Sequence, residues 1–164
     1  IYGACFILMF LMSTLYHAIQ HKKAKSVLRI FDHISIYFFI AGSFTPPILL
    51  LMSGWQRVVF LIVMWVLAVL GTIYKVAIKS KMDKYKGLST VLYIGMGWMA
   101  IFLIKPVIYH RYWQFGVLML IGGLLYTFGT LFYKSKKLKY NHVIWHLFVL
   151  SAAVVHFNAF CKYL

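Results

Sequence analysis

Long apolar stretches recur from one end of the chain to the other, and this pattern constrains the fold more than any other feature. Each stretch has about 17 residues or more, which is long enough for an α-helix to cross the hydrocarbon core of a bilayer. The composition agrees, since 63% of the 164 residues are hydrophobic and 12% are charged, with a mean hydropathy of +0.86. The sequence therefore predicts an all-α fold, a polytopic bundle of transmembrane helices.

The apolar stretches predict six spans, which cover residues 1–20, 31–52, 58–74, 88–104, 113–133 and 141–161. Because the connections between them are short, we expect one transmembrane domain over residues 1–164 and no soluble domain. The chain starts with an isoleucine that already belongs to the first span, so we expect the numbering to begin within a longer protein. No signal peptide is visible, because the first span lacks a basic start.

Lysine and arginine residues are concentrated in alternate connections. The connections after the first, third and fifth spans hold 13 of the 17 basic residues: Lys22, Lys23, Lys25, Arg29, Lys75, Lys79, Lys81, Lys84, Lys86, Lys134, Lys136, Lys137 and Lys139. Basic loops of membrane proteins face the cytoplasm. We therefore expect these connections to be cytoplasmic, both ends of the chain to lie outside, and the protein to reside in the plasma membrane.

The net charge of +15 also raises the alternative of a nucleic-acid-binding protein. The charge is confined to short loops between apolar spans, and membrane topology explains that distribution without a further partner. We therefore expect no nucleic-acid partner.

Only two acidic side chains occur in the chain, and their settings differ. Asp83 stands among lysines and is expected to be a solvated loop residue. Asp32 stands at the start of the apolar run 31–52, where a carboxylate costs a few kcal/mol unless a cation or a metal ion partners it. Asp32 is therefore the first candidate for a functional residue.

Histidine and serine side chains are expected to lie at the same depth as Asp32. Ser13 and His17 are four residues apart at the basic end of the first span. His142 and His146 have the same spacing at the start of the last span, so each pair lies on one helix face. At ~1.5 Å per residue, all of these groups lie within roughly 10 Å of one membrane boundary.

These residue types fit a zinc site. A tetrahedral zinc ion takes three protein ligands, and a catalytic site adds a water. His142 and His146 supply two imidazoles from one helix face, and His17 is the best placed third ligand. Asp32 would ligate the metal or hold and deprotonate its water. Zinc suits imidazole ligands better than magnesium or calcium does, but spacing alone leaves open that these histidines bond carbonyls or lipid headgroups.

The other histidines are expected to have structural roles. His21 should be solvated, and His110 should lie on the surface in an outer loop. His33 should be interfacial, because it points ~100° away from Asp32 around the helix. His156 is too far along the last span to share the metal and is expected to be buried with its hydrogen bonds satisfied.

Two cysteines, Cys5 and Cys161, both fall near the outer end of their spans. A disulfide between them is geometrically possible, but buried free thiols are the commoner case. The sequence leaves their pairing open.

Three parts of the sequence are distinctive: Ser13-Thr-Leu-Tyr-His17, the segment 31–46 that contains Asp32, and the segment 142–157 with its His-x-x-x-His pair. Their combination resembles the haemolysin III family, the bacterial branch of the progestin and adipoQ receptor group. The resemblance covers essentially the whole chain. In that family seven helices enclose a zinc ion near the cytoplasmic side.

The resemblance implies that His17, His142 and His146 bind Zn²⁺, that Asp32 contacts the water on the metal, and that Ser13 lies nearby. The family's first helix, with its Glu-x-x-Asn-x-x-x-His motif, has no counterpart here. We therefore expect six visible spans of seven, with the N-terminal span missing.

The resemblance further implies a zinc-dependent hydrolase of lipid amides, similar to the activity attributed to adiponectin receptors and alkaline ceramidases. Asp32 would accept a proton, Ser13 would hydrogen-bond the oxyanion, and membrane lipids would include the substrate. The alternatives are a non-enzymatic sensor or homeostasis protein with structural zinc, a cytolysis-associated protein, and a haem-binding bundle. Continuous apolar spans weigh against a secreted pore-former, which must be soluble before insertion. The substrate and the oligomeric state stay open.

Overall fold

A computed structural model describes residues 1–82, 84–134 and 140–163 of the chain. Within these ranges the regular structure is helical, without a β-strand, so the predicted all-α fold is confirmed. The α-helices are α1 (Tyr2–Ala18), α2 (Lys22–Leu51), α3 (Gly54–Ala77), α4 (Lys86–Trp98), α5 (Ile104–Tyr109), α6 (Trp113–Lys134) and α7 (Asn141–Tyr163). Short 3₁₀ segments cover Lys79–Lys81 and Met99–Leu103.

Five segments of the described ranges are long and apolar enough to cross a membrane: Lys22–Leu51, Gly54–Ala77, Gly87–Tyr109, Trp113–Tyr133 and Asn141–Tyr163. Helix α1 is also apolar, but its 17 residues make it shorter than these. The third segment joins α4, a 3₁₀ turn and α5 where the sequence predicts a single span over 88–104. The chain is therefore a multi-pass membrane protein.

The sequence assigns the basic residues from Lys22 to Arg29 to a connection, and this assignment is wrong, because α2 begins at Lys22. The start of the second span at residue 31 stays a prediction. His21 caps the helix, since its Nδ1 accepts a hydrogen bond from the Ala24 N–H at 3.4 Å. Lysine, alanine and arginine are good helix formers, so the basic segment assigned to a connection forms the first turns of α2. The 30-residue helix is about 45 Å long, and Asp32 lies roughly three turns inside it.

The assignment of Lys75 to a connection is also wrong. Helix α3 continues to Ala77, and Lys75 is 1% exposed. The buried residues before it on α3 are Met64, Ala68 and Gly71. Their steps of three and four residues follow the helical repeat, so Lys75 continues a buried face of α3.

Asp83, which the sequence places in a solvated loop, lies outside the described residues, as do Lys136, Lys137 and Lys139 of the fifth connection. Lys79, Lys81 and Lys84 are exposed, as expected for the third connection.

The chain divides into two compact units, Ile1–Met96 and Gly97–Leu164, called here the N-terminal and C-terminal units. The single domain over 1–164 stays a prediction. In the N-terminal unit, α1 and α3 both pack against α2. Glycines permit the close approach, because a Cβ built at Gly42 would lie 2.8 Å from Cys5 Sγ, and one at Gly71 would lie 2.5 Å from the nearest atom of the Tyr37 ring.

In the C-terminal unit, α6 and α7 pack along each other. The imidazole of His156 on α7 is 6% exposed and lies against Gly122 of α6, where an added Cβ would collide with the ring. Its Nε2 lies 3.1 Å from the Met119 carbonyl oxygen and donates a hydrogen bond to it. A Cβ at Gly129 would similarly lie 2.8 Å from Phe148 Cβ. The lack of a side chain at Gly122 and Gly129 of α6 therefore determines how closely α6 and α7 approach each other.

We predict that Gly122→Ala destabilises the protein by about 1–3 kcal/mol, because the new methyl group overpacks against His156. The matched control is Gly123→Ala, since a Cβ there meets nothing within 4 Å. That control should be neutral or stabilising, because alanine has the higher helix propensity. Thermal unfolding of the purified proteins in detergent measures both effects, and equal midpoints for the two variants would contradict the packing described here.

Candidate metal centre

Asp32 is enclosed by side chains of α1 and α2 in the N-terminal unit. The Ser13 hydroxyl on α1 donates a hydrogen bond to the Asp32 carboxylate, and His17, one turn further along α1, acts on it electrostatically. Ser13 is buried, whereas His17 is exposed. The i, i+4 spacing of Ser13 and His17 thus turns both residues toward one carboxylate.

His33 lies closer to Asp32 than the sequence predicts. Its Nδ1 is 3.8 Å from Asp32 Oδ2 and 2.8 Å from the Arg29 carbonyl oxygen. A carbonyl can only accept, so Nδ1 carries the proton and donates to Arg29. The expectation that His33 points away is wrong, because helical side chains lean back over the preceding turn, which here carries both Arg29 and Asp32.

The His142 and His146 rings lie on one face of α7, as their spacing predicts. Their Nε2 atoms are 3.1 Å apart, and the ring centroids are 4.6 Å apart in an edge-to-face arrangement. Trp145 contacts both rings, with centroid distances of 5.4 Å to His142 and 4.6 Å to His146. Tyr133 of α6 adds a ring contact to His142 at 6.2 Å. Aromatic packing therefore restricts both imidazoles to orientations in which their Nε2 atoms converge.

His142 and His146 of the C-terminal unit could supply two ligands of a metal ion, because each offers one ring nitrogen from the same helix face. His17, the third ligand that the sequence suggests, belongs to the N-terminal unit and stays a prediction. Two imidazole nitrogens that share a tetrahedral zinc ion at about 2.0–2.1 Å lie roughly 3.3 Å apart. The 3.1 Å separation on α7 is close to that value. The donor set and the spacing of the α7 pair therefore fit a metal site of the zinc type.

The remaining sequence candidates are exposed or serve packing. His21 and His110 are exposed, and His21 also caps α2. His156 is buried as expected, but only its Nε2 has a hydrogen-bond partner among the described residues, since Nδ1 has none. Cys5 and Cys161 are free thiols. Cys161 is exposed on the last turns of α7, so the expectation of burial is wrong for that residue.

Sequence reasoning missed Lys75 as a neighbour of Asp32. The Asp32 carboxylate and the Lys75 ammonium act on each other electrostatically within the N-terminal unit. A lysine at the end of an apolar run is normally interpreted as a topology signal, which hides this role. The signal that could have identified Lys75 is its spacing on the helix. It continues, in steps of three and four residues, the series Met64, Ala68 and Gly71 on one face of α3.

Comparison with known sequences identifies the family of the chain. The family described as Haemolysin-III related matches residues 1–157. The chain belongs to the haemolysin III family. This family is part of the progestin and adipoQ receptor superfamily, so the resemblance seen in the sequence motifs is confirmed.

Relatives in the family come from bacteria and mammals. The chain is 39% identical to the hemolysin-3 homolog of Bacillus subtilis over 98% of its own length and 73% of the relative's. It is 40% identical to hemolysin-3 of Bacillus cereus, over 98% of the chain and 71% of the relative. The human monocyte to macrophage differentiation factor is 34% identical over the whole chain and 69% of that protein. No solved structure matches the chain significantly.

We predict that the purified protein binds a divalent transition metal through the three histidines. Alanine at His17, His142 or His146 should each lower metal affinity at least tenfold, since loss of even an outer partner of a metal ligand costs about 10–100-fold. His21→Ala and His110→Ala are the matched controls, because both side chains are exposed histidines outside the group. Elemental analysis after dialysis measures the retained metal. Wild-type metal content in all three ligand variants would overturn the assignment.

Proposed function

We propose that this member of the haemolysin III family is an integral-membrane, zinc-dependent hydrolase that cleaves a lipid amide bond. The observation that carries the proposal is the pair of imidazoles on α7, whose Nε2 atoms lie 3.1 Å apart, and His17 is the proposed third ligand. An all-imidazole donor set suits zinc and disfavours magnesium and calcium, which prefer oxygen ligands. His17 acts on the Asp32 carboxylate as well, so a candidate proton acceptor accompanies the candidate ligands.

Zinc bound by His17, His142 and His146 would lower the pKa of a water toward ~7 and polarise the carbonyl of the amide. Asp32 is the proton acceptor in this proposal, because it is the only carboxylate side chain among the described residues. The Ser13 hydroxyl has a single O–H group, which donates a hydrogen bond to Asp32. We therefore assign Ser13 to orienting that carboxylate, in place of the oxyanion contact that the sequence suggests.

The membrane setting supports a lipid as the substrate. Candidate spans Gly54–Ala77, Gly87–Tyr109 and Trp113–Tyr133 expose most of their apolar side chains, which suits contact with lipid chains. An amide with long acyl chains partitions into the bilayer and reaches a site inside it without crossing water. Membrane lipids are thus the proposed partners, and a ceramide-like amide is the proposed substrate class.

We further propose that the protein lies in the plasma membrane with its basic connections in the cytoplasm. Support comes from the distribution of lysines, since Lys79, Lys81 and Lys84 are exposed between α3 and α4. A single cysteine introduced at Lys79 should react in intact cells only with reagents that cross the membrane. Labelling of this cysteine by an impermeant reagent would indicate the opposite orientation, with the basic connections outside the cell.

We predict that Asp32→Asn retains zinc and lowers hydrolysis of a ceramide-type amide by about 10²–10⁴-fold, because the variant lacks a proton acceptor. The matched control is Asp83→Asn, which removes the other acidic side chain of the chain and should leave hydrolysis unchanged. Zinc content and product formation are measured on the same purified samples. Wild-type turnover by the variant would contradict the role of Asp32, and loss of zinc from a folded variant would make Asp32 a metal ligand.

The second candidate is a non-enzymatic protein in which zinc is structural. The name of the Bacillus cereus relative, hemolysin-3, favours a role in cytolysis for such a protein. Tightly held zinc with no turnover of any lipid amide, together with lysis of erythrocytes by membranes that contain the protein, would support this candidate over the hydrolase.

A further inference from the structure

Lys75 is buried in the N-terminal unit although its side chain carries a charge. The residue is 1% exposed, so its ammonium group does not reach the water or headgroup layer by extending along the helix. A buried ammonium is strongly destabilising unless an opposite charge and polar contacts accompany it. The residues around Lys75 must therefore compensate its charge.

Packing of α3 against α2 places Lys75 beside the Asp32 region. Consecutive helices α2 and α3 are joined by only Met52 and Ser53, so they run in opposite directions. Gly71 of α3 lies against the Tyr37 ring of α2. One turn onward on α3 is Lys75 and one turn back on α2 is His33, each displaced by about 6 Å along its helix. Lys75 thus stands at the height of Asp32 and His33.

Tyr93 of α4 confirms this placement by a separate contact. The Lys75 Nζ lies 5.8 Å from the centroid of the Tyr93 ring, which is the range of a cation–π interaction. The hydroxyl of the same Tyr93 donates a hydrogen bond of 3.0 Å to the carbonyl oxygen of His33. One tyrosine therefore touches both the lysine and the backbone of the residue that follows Asp32.

The charges that act on Lys75 come from Arg29, which has the larger effect, and from Asp32. Arg29 has the same sign as Lys75 and increases the need for an anion. Asp32 is the only carboxylate side chain among the described residues, and it acts on Lys75 electrostatically. No other described side chain can neutralise the lysine.

We propose that Lys75 is the positioning residue of Asp32, a buried fixed charge that holds the carboxylate between α1 and α3. The Ser13 hydrogen bond restrains Asp32 from α1, and Lys75 attracts it from α3. The catalytic meaning of this arrangement rests on the proposed function, whereas the charge coupling does not. Lys75 would keep the proton acceptor in one orientation.

A double-mutant cycle on the purified full-length protein tests the coupling. Lys75→Met removes the charge at similar length, and Asp32→Asn removes the opposite one. Each single variant should lower the midpoint of thermal unfolding by on the order of 10 °C, because each leaves a buried charge without its partner. The midpoint of the double variant should be well above the value that adding the two single losses would give. Lys75→Arg keeps the charge and should recover part of the loss.

Lys79 provides the matched control, since it is an exposed lysine one turn beyond Lys75. Lys79→Met should leave the midpoint unchanged and should add to Asp32→Asn without coupling. Losses that add in the double variant, or a Lys75→Met variant with an unchanged midpoint, would each overturn the proposal.

Repeating the cycle in a His142→Ala background separates this proposal from the hydrolase. His142 is a predicted metal ligand, and the coupling of Lys75 with Asp32 should persist when that ligand is removed. Zinc content and turnover are measured separately in the protein with His142 intact. Coupling in the cycle, with no zinc and no turnover in the intact protein, would support the positioning role and refute the proposed function. Turnover by the intact protein, with no coupling in the cycle, would refute the positioning role and leave the proposed function standing.

Discussion

A charge that is removed from water inside a helix bundle must be held by an opposite charge or by hydrogen bonds. The N-terminal unit satisfies this requirement at Asp32 with three helices besides α2. Helix α1 brings the Ser13 hydroxyl, α3 brings the buried Lys75, and α4 brings Tyr93, whose hydroxyl bonds the backbone beside Asp32. Side chains from three helices therefore lie around Asp32 and the residue that follows it.

The scarcity of acidic residues makes this carboxylate hard to replace. A chain with 17 basic and two acidic side chains has almost no anions to distribute, and membrane topology accounts for cations near the ends of apolar spans. Lys75 is the exception among the described residues, because it is buried beside a carboxylate rather than exposed. The same carboxylate is acted on by His17, which is the proposed third ligand of the metal ion. Structural charge compensation and the proposed chemistry thus meet at Asp32.

Hydropathy could predict the existence of the helices but not every boundary. The start of α6 at Trp113 and of α7 at Asn141 agrees with the apolar runs, because apolar character begins there abruptly. Hydropathy failed to predict the start of α2 at Lys22, since basic residues with high helix propensity extend this helix beyond the apolar run. It failed again at Lys75, because a buried lysine and an interfacial lysine have the same hydropathy and differ only in their tertiary neighbours.

Local spacing predicted part of the candidate site. The convergence of His142 and His146 follows from the i, i+4 geometry of a single helix. The contact of Ser13 with Asp32 required two helices and was expected only as a shared depth. The approach of His33 to Asp32 depends on a side-chain rotation toward the Arg29 carbonyl, which a helical wheel does not represent.

Zinc coordination by His17, His142 and His146 is the central claim, and the zinc K-edge X-ray absorption spectrum of the purified full-length protein tests it most directly. We expect three imidazole nitrogens at about 2.0–2.1 Å and one oxygen ligand in a four-coordinate site. A first shell that contains sulfur, a shell of oxygen ligands alone, or a protein that carries no zinc would contradict it.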